Sequence, residues 1–237
     1  MSDVKTMPVY LKVRRDIREG IESGTYPAGT TIPSENELAK RYGITRLMVR
    51  KAVDALVEEG LVRRAQGKGA FSTGSLSEQR GLPPKGFREQ AKSHLHVPTV
   101  RILETRLRQA GPFYSRFFSI EEDDDLYCVR RLNSMDGEPL SIEKTFIPCD
   151  MFPGITEIDI SVFSLYETYA LLGHEVARVR ETIDLIELSA NDARLLGVEV
   201  GSPAMVLDCV SYDADNLPVE HAISYTRGDK GNYYLRY

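Results

Sequence analysis

Apolar residues recur at helical spacing three times within the first sixty positions. Tyr10, Val13, Ile17 and Ile21 repeat every three or four residues, which predicts a helix opening at Pro8 and ending at Gly24. Proline suits the first turn because it has no N–H to leave unpaired. After the turn-forming run Tyr26-Pro27-Ala28-Gly29-Thr30, Ser34 stands three residues before Glu37, the capping-box arrangement. The helix it opens buries Leu38, Ala39 and Tyr42, and Gly43 then allows a sharp turn with positive φ. Thr45 caps a third helix, in which Val49, Ala52, Val53 and Leu56 share one face. Its opposite face holds Leu47, Arg50, Lys51 and Asp54, with Arg46 at the start. Beyond Gly60, Leu61–Arg64 and Ala70–Ser72 read as two short strands joined by the basic turn Gln66-Gly67-Lys68-Gly69. Three short helices and a basic-tipped hairpin make a winged helix-turn-helix.

Residues 73–88 are rich in Gly, Ser, Pro and charge, and read as an interdomain linker over 74–87. The pattern then turns to strands. Val100–Leu107 and Tyr127–Asn133 come first, and Asp136-Gly137 marks a hairpin into Leu140–Ile147. Ser161 is the expected cap of a helix carrying Val162, Leu165, Tyr166, Tyr169 and Leu172. Val176–Ile186 is extended, Ser189 with Asp192 opens a short helix, and Ala204–Tyr212 and Val219–Tyr225 form a last hairpin. The expected class is α+β: a winged helix over 1–73, then an antiparallel-sheet domain over 88–237.

Charge sharpens this division. Residues 1–76 hold 13 Lys and Arg against 9 Asp and Glu, while residues 77–237 hold 17 against 26. A basic front on an acidic body points to a polyanion partner for the first third alone. Arginine on the third helix can bond a guanine edge with two N–H groups, and Leu47 can meet a thymine methyl. No apolar run approaches the ~18 residues of a membrane span, and no signal segment opens the chain. Three widely spaced cysteines, Cys128, Cys149 and Cys209, form no disulfide or zinc pattern. A reducing cytoplasm is the expected compartment, and no metal or other cofactor is expected.

The run Pro33-Ser34-Glu35-Asn36-Glu37-Leu38-Ala39, followed by Tyr42-Gly43-Ile44-Thr45-Arg46, Val49-Arg50-Lys51-Ala52, Glu59-Gly60-Leu61-Val62 and Gln66-Gly67-Lys68-Gly69, closely resembles the GntR family of bacterial transcription regulators. The resemblance covers about residues 8–73. It places DNA contacts on Asn36, Thr45, Arg46, Arg50, Gln66 and Gly67. Ser34, Leu47 and Lys68 join them by position, with Ser34 and Thr45 expected at phosphates. Leu47-Met48 stands where the family usually has small hydroxyl residues, a departure that bears on the operator sequence.

The second half resembles the effector-binding UTRA domain of the HutC branch, whose fold is similar to that of chorismate lyase. Arg130-Arg131, Asp136-Gly137-Glu138-Pro139, Glu143, Phe146-Ile147-Pro148, Ser164-Leu165-Tyr166, Pro218-Val219-Glu220 and Tyr225 with Arg227-Gly228-Asp229 carry it, in order. The resemblance implies an effector site at Arg131, Glu143, Ser164, Tyr166, Glu220 and Tyr225. Sugar-phosphate-binding members have a second basic residue where this chain has Asn133, and a serine where it has Gly86 before Phe87. Both changes remove phosphate-binding groups, so a smaller carboxylate or amine is expected.

The expectation is a homodimeric repressor that binds a near-palindromic duplex operator, is controlled by a small polar effector and has no membrane association. The alternative is a lyase-like enzyme with an appended DNA-binding domain, in which Glu143 beside Arg131 does acid–base work. No nucleophile or cofactor motif accompanies that pair. His94-x-His96 reads as loop, Glu121–Asp125 as a solvated helix start after Ser119, and Gly67-Lys68-Gly69 lacks the frame of a phosphate-binding loop.

Overall fold

The computed structural model describes residues 9–74 and 97–230. Pro8, most of the linker, Gly86-Phe87 and His94-x-His96 lie outside them. Chain contacts separate two units, residues 1–80 with 157–163, and residues 81–156 with 164–237.

In the first unit, α1 (Val9–Glu22), α2 (Glu35–Tyr42) and α3 (Arg46–Glu58) precede a hairpin of β1 (Val62–Ala65) and β2 (Gly69–Ser72). The helices form where caps and periodicity coincide. The Ser34 hydroxyl accepts from the Glu37 N–H, and the Glu37 carboxylate accepts from the Ser34 N–H, so two end donors are satisfied reciprocally. Gly43 closes α2 at φ 64°, a left-handed conformation that glycine reaches without a Cβ clash. Thr45 caps α3. Val13, Ile17, Ile21, Leu38, Val49, Ala52, Val53, Leu56 and Val62 make one core. Each large aliphatic buried there stabilises the unit by roughly 1.5–3 kcal/mol. Tyr10 departs from the expected stripe. It stands at the start of α1, 38% exposed.

The second unit is built on a six-stranded sheet in the order β3-β4-β5-β8-β7-β6, antiparallel throughout. The strands are β3 (Pro98–Gln109), β4 (Asp125–Met135), β5 (Glu138–Pro148), β6 (Arg178–Glu187), β7 (Pro203–Tyr212) and β8 (Pro218–Arg227). Asp136 and Gly137 both adopt positive φ, 52° and 83°, which gives the β4–β5 turn the twist a tight hairpin needs. The pairing shifts at a bulge between Asn133 and Ser134, and beyond it Arg131 stands opposite Glu143 and Arg130 opposite Lys144.

Successive side chains on β4 point to opposite faces. On one face Leu126 and Cys128 pack with Ala110, Tyr114 and Phe118 under α4 (Gly111–Phe118). Farther along that face, Leu132 and Ile142 pack with Leu188, Ala193, Leu196 and Ala204, which brings in α6 (Ala190–Leu196). The other face carries Arg131 and Asn133, and α5 (Leu165–Leu171) contributes side chains to it.

Two further expectations are corrected. Ser164, not Ser161, caps α5, because Ser164 has Glu167 at the third helical position to complete a capping box. The Ser161 hydroxyl is instead bonded to Asp159. The helix near Ser119 lies before it, since Ser119 is the left-handed C-cap of α4 at φ 59°. Glu121–Asp124 is then a turn, closed by the Glu121 N–H to the Asp124 carboxylate at 2.8 Å. Cys128 is buried, Cys149 and Cys209 are half-buried, and none is bonded to another.

Candidate DNA interface and effector site

On the first unit, Ser34, Asn36, Thr45, Arg46, Leu47, Arg50, Gln66, Gly67 and Lys68 are all solvent-exposed. They come from the start of α2, the first turns of α3 and the tip of the β1–β2 wing. Leu47 is 64% exposed and Met48 38%, an apolar pair at the head of the helix that no core residue covers. Such a pair is suited to thymine methyl groups.

The sequence reading missed the residue that organises this surface. Glu35 accepts from Arg50 Nε at 3.2 Å and Nη2 at 3.0 Å, and from Arg64 Nη1 at 2.7 Å, with Arg46 Nη2 at 3.8 Å. Arg50 first, and then Arg64, hold its carboxyl below the usual carboxylate range, against the opposing effect of partial burial. Arg64 also reaches Asp54 at 2.8 Å. Glu35 therefore fixes the direction of the guanidinium groups and lowers the local positive charge. Its signal was the capping run itself, where it sits between Ser34 and Asn36.

The two expected phosphate contacts differ in what they have left to donate. The Ser34 hydroxyl donates to Glu37 at 2.8 Å, so its proton is already engaged. Thr45 Oγ1 accepts from the Met48 N–H at 3.4 Å and keeps its own proton free for a phosphate. Gly67, at φ 73°, sits at the wing tip. Lys68 Nζ pairs with Asp159 at 2.8 Å, within the 157–163 segment that groups with this unit.

On the second unit, the structure brings together Arg131, Glu143, Tyr166 and Glu220. Arg131 Nη2 donates to Glu143 Oε1 at 2.5 Å, and Thr145 Oγ1 donates to the same oxygen at 3.0 Å. Asn133 Nδ2 donates to Ser141 Oγ at 3.3 Å and to Glu143 Oε2 at 3.4 Å. Glu220 is 3% exposed and accepts from the Tyr169 hydroxyl at 2.5 Å and from Ser211 Oγ at 2.7 Å. Tyr166 extends the chain through Ser211 at 3.0 Å. Burial raises the Glu220 carboxyl above its ordinary value, against the two hydroxyl donors, and the nearby Glu143 adds to the rise. For Arg131, burial works against the charge, but Glu143 outweighs it and the guanidinium is held more firmly protonated.

Two buried atoms of this cluster have no hydrogen-bond partner, Arg131 Nε and Asn133 Oδ1. Leaving such a group unmade costs roughly 1–3 kcal/mol, more if charged, so spare capacity here suits an incoming polar ligand. Ser164 stands at the head of α5 as its cap, with its hydroxyl accepting from Glu167. Tyr225 falls outside the cluster. Five residues beyond Glu220 on the same strand, it points to the opposite face, against the core of Leu132 and Ile142 and within 5.2 Å of Lys144 Nζ. Tyr169 and Ser211 were not foreseen, although Ser211 lies directly across the β7–β8 hairpin from Glu220.

A cleft of about 410 Å³ opens on that opposite face, lined by Arg106, Arg108, Arg130, Lys144, Ser189 and Asp192. Arg130 is paired to Asp192 at 2.7 Å across it. Among the described residues no cluster of three His, Cys, Asp or Glu side chains is placed to hold a metal.

Comparison with known proteins agrees with both halves. Residues 9–71 match the model of the bacterial regulatory proteins of the gntR family, and residues 93–231 match the UTRA domain. A probable fructoselysine utilization operon transcriptional repressor of Escherichia coli K12 is 29% identical over 94% of this chain and 91% of its own length. The repressor NagR of Bacillus subtilis is 25% identical over 94% of this chain and 92% of its own. Among solved structures, PhnF of Mycobacterium smegmatis covers 95% of this chain and 99% of its own, at TM-score 0.61 and 24% identity. Its separate effector domain gives TM-score 0.62 at 25% identity, over 65% of this chain and 98% of its own.

Two outcomes follow from these contacts. Replacing Arg50 with Ala is expected to cost ~1–3 kcal/mol of operator affinity if it reads a base edge. Glu35→Ala should tighten binding to random duplex and lower the operator-to-random ratio, because three guanidinium groups lose their anchor. Fluorescence anisotropy at one fixed salt concentration reads both, and unchanged ratios contradict the assignment. For Glu220 the carboxyl is raised on folding. Its contribution is fully present below the unfolded value near 4.5 and is lost as pH rises through the folded value. The stability difference between the wild type and Glu220→Gln should therefore fall with rising pH in that window. A flat difference between pH 4 and 8 would contradict it.

Proposed function

From the premise that this chain belongs to the UTRA-bearing regulators of the bacterial gntR family, we propose that it is a cytoplasmic homodimeric repressor released or repositioned by a small polar metabolite. Its relatives are DNA-binding transcriptional regulators rather than enzymes, which sets the lyase alternative aside. Residues 1–73 are read as the DNA-binding part, 74–87 as linker and 88–237 as the effector-binding and dimerising part.

The observation that carries the effector reading is the cluster of half-buried Arg131 and Glu143 with buried Asn133 and Glu220, which holds two unpartnered buried atoms. Its charges decide the ligand class. One guanidinium faces two carboxyl groups, and the nearer carboxylate already neutralises it. Adding a phosphate dianion there would set negative charge against the Glu143 carboxylate and beside the buried Glu220, with no free cation among the described residues of the cluster to offset it. An amine, a hydroxyl-rich group or a zwitterion meets acceptors instead. The E. coli relative is named for a fructoselysine operon, and a ligand with both amine and hydroxyl groups is consistent with this cluster.

A two-fold dimer would present two α3 helices about one DNA turn apart, ~10–10.5 bp, to a near-palindrome. An effector that binds two dimer arrangements unequally by 1–3 kcal/mol would change operator affinity ~5–150-fold. Selection of fragmented genomic DNA on the purified protein tests this, at ~0.15 M salt to suppress non-specific phosphate binding. Recovery of a near-palindrome is the expected outcome. Recovery of only sequence-independent, salt-sensitive fragments would contradict a specific repressor.

A further inference from the structure

The cleft on the far face of the sheet carries unbalanced charge. Arg106, Arg108, Arg130 and Lys144 line it against two carboxylates, Glu104 and Asp192, so two positive charges are left over. The strand register makes this unfavourable. Arg130 and Lys144 stand directly opposite one another on β4 and β5, and like charges at such a pair destabilise a sheet. Asp192 pairs with Arg130 at 2.7 Å, and Glu104 lies 3.6 Å from Arg106. Among the described residues no carboxylate pairs with Lys144, whose ammonium sits 5.2 Å from the centre of the Tyr225 ring. Arg108 donates only to the backbone carbonyls of Gln109 and Ala110 and lies over the rings of Tyr114 and Phe146.

The cleft is also short of acceptors. Arg130 Nε is buried with no hydrogen-bond partner, and a donor left unmade in this way destabilises the fold. Cys128 and Phe146 give the site an apolar floor, which excludes water and strengthens electrostatic attraction above it. Asn191, also in the lining, accepts from Arg194 through Oδ1 at 2.6 Å, which leaves its amide hydrogens to donate.

We propose that this cleft is a second ligand site and that it takes a phosphate group, either the free ion or a small phosphate ester. The charges match, since a phosphate monoester carries about −1.5 to −2 near neutral pH. Its three terminal oxygens can accept from several donors at once, guanidinium forks from the arginines and a point charge from Lys144. An amine would be repelled, and a monocarboxylate would leave one cation without a partner. A volume of about 410 Å³ has room beyond the phosphate for a small organic part. The proposal goes beyond the effector reading and does not rest on it. Arg130 and Arg131 are neighbours on β4 that face opposite ways, so the phosphate is a ligand separate from the one received at Glu143.

Isothermal titration calorimetry of the full chain tests this with inorganic phosphate, glycerol phosphate and succinate at one pH and salt concentration. Both phosphates are expected to bind, and succinate at least tenfold more weakly. Tighter binding of glycerol phosphate assigns an ester, and equal binding of the two assigns the free ion. Lys144→Gln should weaken phosphate binding about tenfold. Arg116→Gln, which removes the same charge from an exposed position of α4, should leave it unchanged. Asp192→Asn releases Arg130 from its internal anion and should tighten binding, an effect that loss of folding cannot produce. No binding at millimolar phosphate, equal weakening by Lys144→Gln and Arg116→Gln, no tightening in Asp192→Asn, or succinate binding as tightly as phosphate overturns the assignment.

Discussion

The register of the β4–β5 hairpin is the constraint from which the second unit follows. The turn at Asp136-Gly137 and the bulge between Asn133 and Ser134 together set Arg131 against Glu143 and Arg130 against Lys144, and adjacent side chains point to opposite faces. Arg131 then joins a buried polar cluster with Asn133, Glu143 and Glu220. Arg130 lies on the far face, paired to Asp192 at the head of α6. A slip of one residue would exchange these partners and bury Arg130 in the wrong company. Two adjacent arginines thus serve two faces, and the turn and the bulge together decide which partner each meets.

The first unit applies the same economy to DNA. Its core is aliphatic, so the polar exterior of α3 is free to vary, and the arrangement of that exterior depends on one carboxylate. Glu35 gathers Arg46, Arg50 and Arg64, which turns scattered cations into a fixed surface. Orientation of this kind reduces the ordering needed when a duplex arrives. Leu47 and Met48 at the same helix head leave the surface an exposed apolar edge.

Much of this was legible in the sequence because local signals were strong. Capping boxes, left-handed glycines and 3.6-residue periodicity named α1, α2 and α3, and alternation with turn residues named the strands. The misses have physical causes. The helix Gly111–Phe118 lacks a side-chain cap, and its aromatics Phe113, Tyr114, Phe117 and Phe118 look like a strand by composition. Ser161 and Ser164 are both sound caps locally, and only Glu167 decides between them. Tyr225 does not join Glu220 because an odd spacing on a strand sends the two to opposite faces. Glu35, Tyr169 and Ser211 escaped because their importance comes from partners distant in sequence.

The central claim is that the face holding Arg131, Glu143 and Glu220 receives the effector, rather than the basic cleft on the other side of the sheet. The most direct measurement is release of operator DNA by a panel of amines, carboxylates, zwitterions and phosphosugars. It would compare the wild type with Glu143→Gln and with Lys144→Gln, which differ by one position and face opposite ways. The account predicts that an amine- or hydroxyl-bearing compound releases DNA from the wild type and from Lys144→Gln, and at least tenfold less effectively from Glu143→Gln. Release by a phosphosugar that survives Glu143→Gln and is lost in Lys144→Gln would contradict it.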